Sequence, residues 1–191
     1  MRFTQNIELQ RLNPEVTGRY EPTSARWVIL SFSFHTACLI SHSMKALVQR
    51  VSRGSVTIDG KTTGSIGRGF VVLLGVKIGD TEEDARQLAH KTVNLRVFAD
   101  QNDKMNLSIH EIGGEILAVS QFTLYADTKK GNRPSFIEAA QPDVAEKLYN
   151  LYVESLRSAL GESSVSTGIF RASMAVELVN DGPVTIELNT D

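Results

Sequence analysis

Gly113-Gly114-Glu115-Ile116-Leu117-Ala118-Val119-Ser120-Gln121-Phe122-Thr123-Leu124-Tyr125-Ala126-Asp127 is the stretch on which the reading of this chain turns. Gly-Gly is a turn signal, and the apolar run from Ile116 to Val119 behind it is short and β-branched at both ends, which predicts a buried strand rather than a helix. At Ser120 the chemistry changes. Two hydroxyls and an amide, from Ser120, Thr123 and Gln121, follow where a core strand would continue with aliphatic residues. The strand period of two sends Gln121 and Thr123 to one face and Ser120, Phe122 and Leu124 to the other. Polar groups held on rigid backbone at a strand end suit a binding or catalytic site. They are equally readable as hydrogen-bonded strand residues with no further role.

Upstream of this stretch, Ala46 to Val51 and Ser55 to Ile58 read as strands, and Asp59-Gly60 is a hairpin turn. Phe70 to Val76 is apolar throughout, which predicts a central strand covered on both faces. Asp80, with Glu83 three residues on, resembles a capping box opening a helix that runs to about Asn94. Leu95 to Phe98 returns to strand character, Asp100 to Asp103 is a turn, and two more sheet segments flank His110. Downstream, residues 128–136 form a polar loop carrying Lys129, Lys130 and Arg133, which reads either as an ordinary solvated loop or as a small basic contact. Gln141-Pro142-Asp143 opens a second helix with Pro in its first turn; Val144, Leu148, Leu151, Tyr152, Ser155, Leu156 and Ala159 mark its buried face, and Gly161 ends it. Ala175 to Val179 and Val184 to Leu188 close the chain as two strands around the turn Asn180-Asp181-Gly182-Pro183. Strands outnumber helices. The expected fold is α/β of an α+β kind, a mostly antiparallel, barrel-like sheet with two amphipathic helices packed on one side.

With 191 residues, 41% of them hydrophobic, the chain can bury a normal core in one domain. Its one cysteine, Cys38, excludes an internal disulfide framework and points to a reducing, cytoplasmic setting. The four histidines are scattered without metal-ligand spacing, so no metal site is expected. The formal net charge is −2; beyond residue 43, 16 basic residues face 19 acidic ones. A protein that wraps nucleic acid without sequence preference carries a basic surplus, so any nucleic-acid footprint here should be small and local. Residues 1–43 have few periodic features. Their apolar run from Trp27 to Ile40 is too short and too polar to span a membrane, and it sits behind three glutamates, unlike a signal or transit peptide. The domain is expected to occupy residues 44–191, with 1–43 a dispensable extension outside the fold.

Asn180-Asp181-Gly182-Pro183 has a plain reading as a turn. Yet an X-Pro bond adopts cis for only about 0.5–1 kcal/mol, and a cis Gly182-Pro183 would aim two successive carbonyls the same way, an acceptor pair suited to an ammonium group. Here the chain resembles a known family. Ser120-Gln121-Phe122-Thr123-Leu124 and Asn180-Asp181-Gly182-Pro183-Val184-Thr185 stand in the order found in D-aminoacyl-tRNA deacylases. So do Gln49-Arg50-Val51, Lys104-Met105-Asn106, Arg133-Pro134-Ser135-Phe136 and Thr167-Gly168-Ile169-Phe170. The resemblance runs from Met44 to about Leu188. It implies a cytoplasmic homodimeric hydrolase, in need of no cofactor, that cleaves the ester joining a D-amino acid, or glycine mischarged on tRNA(Ala), to the tRNA acceptor end. It further implies that Gly182 and Pro183 reach the partner's pocket and screen chirality. Gln121, Phe122 and Thr123 would line that pocket beside Ser120, Arg50 would brace the Gly-Pro loop, and Met174 would lie nearby.

An aminoacyl ester beside a ribose hydroxyl is already reactive, so such an enzyme needs no full triad. Backbone amides of the segment 120–123 could hold the developing oxyanion, an effect worth about 3–4 kcal/mol per donor in other enzymes. Three alternatives stay open at this level. Thr123 could position substrate while water attacks, Ser120 or Thr123 could be a covalent nucleophile, or the pocket could bind an RNA end or amino acid without turnover.

Overall fold

The computed structural model describes residues 43–190. The expectations for residues 1–42, the Trp27 to Ile40 run included, lie outside them. Ser43 enters the fold through its backbone. Its N–H donates to Asp80 Oδ1 at 3.1 Å and its carbonyl accepts the Tyr125 hydroxyl.

The first strand, β1 (Lys45–Ile58), is one 14-residue element where the sequence suggested two. It turns at Asp59-Gly60 into β2 (Lys61–Ile66). Both turn residues have positive φ, 49° and 75°, as a two-residue type I′ hairpin requires. The apolar run forms β3 (Gly69–Gly75), which pairs antiparallel with β1 and parallel with β6 (Glu115–Ser120). Next comes β7 (Val165–Thr167), parallel to β6, while β8 (Ala175–Asn189) runs antiparallel along the other edge of β1. The sheet is therefore mixed, with three antiparallel pairings around β1 and two parallel ones around β6. Ser166 Oγ donates to the Ser65 carbonyl at 3.1 Å, tying β7 back toward β2 in the barrel-like sheet.

Two helices, α1 (Glu82–Val93) and α2 (Pro142–Leu160), cover the outer face. The strand period sorts the core into two clusters. Phe70, Val72, Leu74, Ile116 and Ala118 face the helices, meeting Leu88, Tyr152 and Leu156. Val71, Leu117 and Val119 face inward with Val51, Val56 and Ile66. This is why Phe70 to Val76 carries no polar residue: both its faces are covered. Two buried tyrosines lock α2 in place. Tyr152 shares a 2.8 Å hydrogen bond with Thr92 of α1, and the Tyr149 hydroxyl donates to the Ala118 carbonyl of β6 at 3.0 Å.

Several local expectations shift. The helix α1 is capped by Thr81 and Asp84 in a reciprocal capping box, one residue later than expected from Asp80 and Glu83. Asp80 instead accepts the N–H groups of Lys77 and Ser43. On α2 the buried stripe includes Tyr149 and Val153, whereas Val144 and Ala159 are exposed. The strand expected at Leu95 to Phe98 is only β4 (Phe98–Ala99), paired with β5 (Met105–Leu107) across the turn at Asp100 to Asp103. The two closing strands are one, β8, whose residues 180 and 185 pair with 51 and 49 of β1. The Asp181 to Val184 segment is thus an excursion from a continuous strand, not a hairpin turn.

Burial pushes the Tyr149 phenol up to about 12, from an ordinary value of 10.0. Tyr125 and Tyr152 are raised for the same reason. A group whose folded pKa is raised stabilises fully below its unfolded pKa and loses that contribution as pH climbs toward the folded one. Urea midpoints are therefore expected to hold up to about pH 10 and fall above it, more shallowly in Tyr149→Phe, which has one phenol fewer to bury; a fall of equal steepness in the variant would contradict this.

Candidate functional site

The end of β6 is where the site is built. Gln121 N–H donates to the Leu74 carbonyl at 2.7 Å as the last rung beside β3. The chain then winds into a 3₁₀ turn, Phe122–Tyr125, closed by Leu124 N–H to Gln121 O at 3.2 Å and Ala126 N–H to Thr123 O at 3.1 Å. The strand alternation expected for Gln121 and Thr123 stops here, because the backbone is no longer extended. The turn instead brings the two side chains together, with Gln121 Nε2 donating to Thr123 Oγ1. It also leaves its first amides, those of Phe122 and Thr123, without acceptors inside the turn, and the Gln121 side chain does not cap them. Such amides are the donors an oxyanion needs.

Two features hold the turn against β3. Gly75 ends that strand, and a Cβ there would lie 2.9 Å from Tyr125 Cε2 and 3.2 Å from Leu124 Cβ, so only glycine admits the turn this closely. Tyr125 is buried, and its hydroxyl reaches back to Ser43.

A cavity of about 480 Å³ opens beside the turn. Of the residues singled out from sequence, Ser120, Gln121, Phe122 and Met174 line it. Thr123 lies next to it through its bond to Gln121 but is exposed and outside the lining. Sequence reasoning missed the aromatic walls. Phe136 packs edge-to-face on Phe122 with ring centroids 5.1 Å apart, and Tyr149 meets Phe170 at 6.0 Å. Phe136 and Phe170 end the blocks Arg133-Pro134-Ser135-Phe136 and Thr167-Gly168-Ile169-Phe170. An aromatic residue closing a polar loop, outside any apolar period, was the available signal. Tyr149 carried none, since a helical tyrosine beside Leu148 reads as core.

Lys129, Lys130 and Arg133 are exposed on the loop whose base is closed by reciprocal Asp127 and Ser135 backbone bonds of 2.8 and 2.9 Å. They do not line the cavity. The Gly182-Pro183 bond is cis, and both residues are exposed. Arg50 stands opposite this excursion and donates from Nε to the Asp181 carbonyl at 2.7 Å, with Asp181 Oδ2 3.5 Å away and the Val97 carbonyl on Nη1. Asn180 closes the loop from inside, since its side chain donates to Val184 O at 3.1 Å and accepts from Val184 N–H at 3.2 Å. The loop is firmly held, yet none of it lines the cavity of its own chain. Among the described residues no three His, Cys, Asp or Glu side chains come together, and no helix is long and apolar enough to cross a membrane.

A model of the D-Tyr-tRNA(Tyr) deacylase family matches residues 47–189, spanning both motifs and every wall of the cavity. The chain belongs to that family. Deacylase relatives agree closely. A D-aminoacyl-tRNA deacylase of Dehalococcoides mccartyi is 57% identical over 147 residues, covering 77% of this chain and 95% of that protein. One from Carboxydothermus hydrogenoformans is 52% identical over 143 residues, covering 75% and 97%. Among solved structures, a c-Myc DNA unwinding element binding protein superposes with a TM-score of 0.74 at 44% identity, covering 77% of this chain and 99% of its own. A probable eukaryotic D-amino acid tRNA deacylase, at 19% identity and a TM-score of 0.67, shares the fold. The resemblance read from the Ser120 and Asn180 motifs therefore holds, as does the barrel-like α/β architecture expected of a deacylase.

Gly75→Ala tests the seat of the turn. A methyl group there must push Leu124 and Tyr125 outward, and overpacking of this kind costs about 1–3 kcal/mol. The variant is expected to remain folded in urea titration while losing most of its deacylation rate; full activity would show that the turn's approach to β3 is not needed.

Proposed function

We propose that this chain hydrolyses the ester linking a D-amino acid to the 3′-terminal ribose of tRNA, releasing free D-amino acid and tRNA. The observation that carries this reading is the juxtaposition of the Ser120 to Phe122 segment and Met174 in one aromatic-walled cavity, in a chain that belongs to the D-Tyr-tRNA(Tyr) deacylase family. Aromatic walls suit an unpaired acceptor end, whose bases stack on such faces. The free amides of Phe122 and Thr123 take the oxyanion. Gln121 and Thr123 position the ester, and the adjacent ribose hydroxyl assists the attacking water.

Thr123 acts as a positioning group. Its oxygen already accepts a hydrogen bond from an amide donor, which cannot remove a proton, and His90 and His110 are exposed outside the cavity lining. A nucleophilic hydroxyl needs a base within reach. Thr123→Ala is expected to slow deacylation about tenfold or more while costing the fold about 1 kcal/mol. Full activity in this variant would move the whole burden to the backbone amides.

Selection of the D configuration belongs to the Gly182-Pro183 loop of a second copy. A pocket that accepts any D side chain must read the groups common to all amino acids, and a fixed wall that excludes the L arrangement does so. The bracing of the loop by Arg50 and Asn180, and its absence from its own chain's cavity, support a homodimer in which each loop completes the partner's site. The same wall passes glycine, so glycyl-tRNA(Ala) is also a substrate, and the reaction is a proofreading step of cytoplasmic translation. Residues 44–191 carry this activity with no metal or cofactor, the extension up to residue 43 adds, among the described residues, only the backbone contacts of Ser43 to Asp80 and Tyr125, and Lys129, Lys130 and Arg133 contact the tRNA.

A Cβ at Gly182 would sit 2.0 Å from Val184 N and 2.8 Å from Asn180 Oδ1, so any side chain there must rearrange the loop. Gly182→Ala should lose D-over-L discrimination when matched D- and L-aminoacyl-tRNA are compared. Unchanged discrimination would remove chirality screening from this loop, and absence of turnover by the wild-type chain would favour a binding module.

A further inference from the structure

Arg171 occupies a position that the backbone would give to glycine. Residues Ile169 to Ala172 form a β-turn closed by Ala172 N–H to Ile169 O at 3.2 Å, and Arg171, at its third position, has φ of 64°. A turn with positive φ only there is of type II character and favours glycine, because a Cβ is poorly tolerated in the left-handed region. Strain of this kind clusters at functional sites, and the inference runs from the outlier to the function.

The location gives the strain a purpose. Arg171 lines the cavity between Phe170 and Ala172, and among the lining residues it carries the only formal charge. It is exposed, and among the described residues no carboxylate pairs with it. On the reading proposed above, on which this inference rests, the substrate offers a guanidinium one kind of anion. The amino acid's carboxyl group is tied up as the ester, and its ammonium group would be repelled. The phosphodiesters of the acceptor end remain, and an arginine fork matches a phosphate in shape as well as charge.

We propose that Arg171 is a substrate-binding residue that holds a backbone phosphate of the tRNA acceptor end at the aromatic cavity. It acts on binding and not on the ester, since a guanidinium stays protonated and can neither take a proton nor attack. It also supplies a cation at the cavity itself, which Lys129, Lys130 and Arg133 do not.

The test uses the full chain and labelled deacylated tRNA, with fluorescence anisotropy followed over a range of salt concentrations. Arg171→Gly suits the backbone at least as well as arginine, so its thermal midpoint should not fall. Its Kd should rise about fivefold at low salt, the modest effect expected of one exposed ionic contact. The slope of log Kd against log salt should shrink by about 0.7, the loss of one single-strand phosphate contact. Arg171→Lys, which keeps the charge, should restore most of that slope. On a phosphate-free substrate, D-aminoacyl-adenosine, the loss caused by Arg171→Gly should be smaller than on D-aminoacyl-tRNA. The proposal is overturned if Arg171→Gly keeps the wild-type slope, if Arg171→Lys loses as much as Arg171→Gly, or if the phosphate-free substrate suffers equally. A wild-type chain that neither binds tRNA nor hydrolyses D-aminoacyl-tRNA would instead sink the functional reading on which it rests.

Discussion

The lateral fit of β6 against β3 is the constraint on which the site depends. The two strands pair in parallel with Gly69 opposite Glu115 and Leu74 opposite Ser120, and a glycine marks each end of β3. At Gly69 a Cβ would fall 1.8 Å from the Glu115 carbonyl oxygen, so no other residue lets β6 begin there. At Gly75 the same absence admits the turn that follows Ser120. Because side chains alternate along a strand, a slip by one residue would exchange the two faces of β6, turning Leu117 and Val119 toward the helices and Ile116 and Ala118 inward. It would also carry Ser120 and the turn away from the cavity. Fold and site are therefore set by one register.

The opposite edge of the sheet uses the reverse device. Along β1 and β8 the ladder is interrupted, and the interruption is filled rather than avoided. Residues between Asn180 and Thr185 leave the strand, and Arg50, whose place in the ladder they vacate, spends its guanidinium on the carbonyls of Asp181 and Val97. Asn180 meanwhile mimics a strand partner for both polar groups of Val184. A buried or half-buried backbone group without a partner costs roughly 1–3 kcal/mol, so these contacts are what allow an irregular loop to stand out from a sheet edge. The result is a projection held by hydrogen bonds from Arg50 and Asn180.

Much of this was legible in the sequence because it rests on period and punctuation. The apolar strands, the Asp59-Gly60 hairpin, the Pro142 to Gly161 helix and the polar end of β6 all follow from side-chain spacing and turn chemistry, and the motifs around Ser120 and Asn180 marked the family. What was not legible depends on contacts between distant residues. Thr81 rather than Asp80 caps α1, and the Asp80 carboxylate is taken up by the backbone N–H groups of Lys77 and the distant Ser43. That β8 is one strand follows from its pairing along β1, which a local turn signal at Asn180 conceals. That Gln121 and Thr123 meet, instead of sharing a strand face, follows from the 3₁₀ turn that Gly75 accommodates from the neighbouring strand. The aromatic walls were invisible for the same reason. Phe136, Tyr149 and Phe170 come from a loop, a helix and a turn, and only the folded chain brings them to one cavity.

The chemistry available to this site follows from what its groups can do with protons. Gln121 can donate, Thr123 accepts from it, and the turn amides donate; none of these takes a proton from water or from a hydroxyl near neutral pH. Tyr149, the phenol in the cavity wall, has its pKa pushed up to about 12 by burial and its hydroxyl committed to the Ala118 carbonyl, so it stays a donor. A site made of donors and apolar walls lowers a barrier by stabilising negative charge on oxygen, and it suits only substrates activated enough to be attacked without a protein base. An aminoacyl ester meets that requirement, because its α-ammonium and vicinal ribose hydroxyl already raise its reactivity. On the proposed reading, the same poverty of bases among the residues lining the cavity would leave a peptide bond or an ordinary alkyl ester untouched.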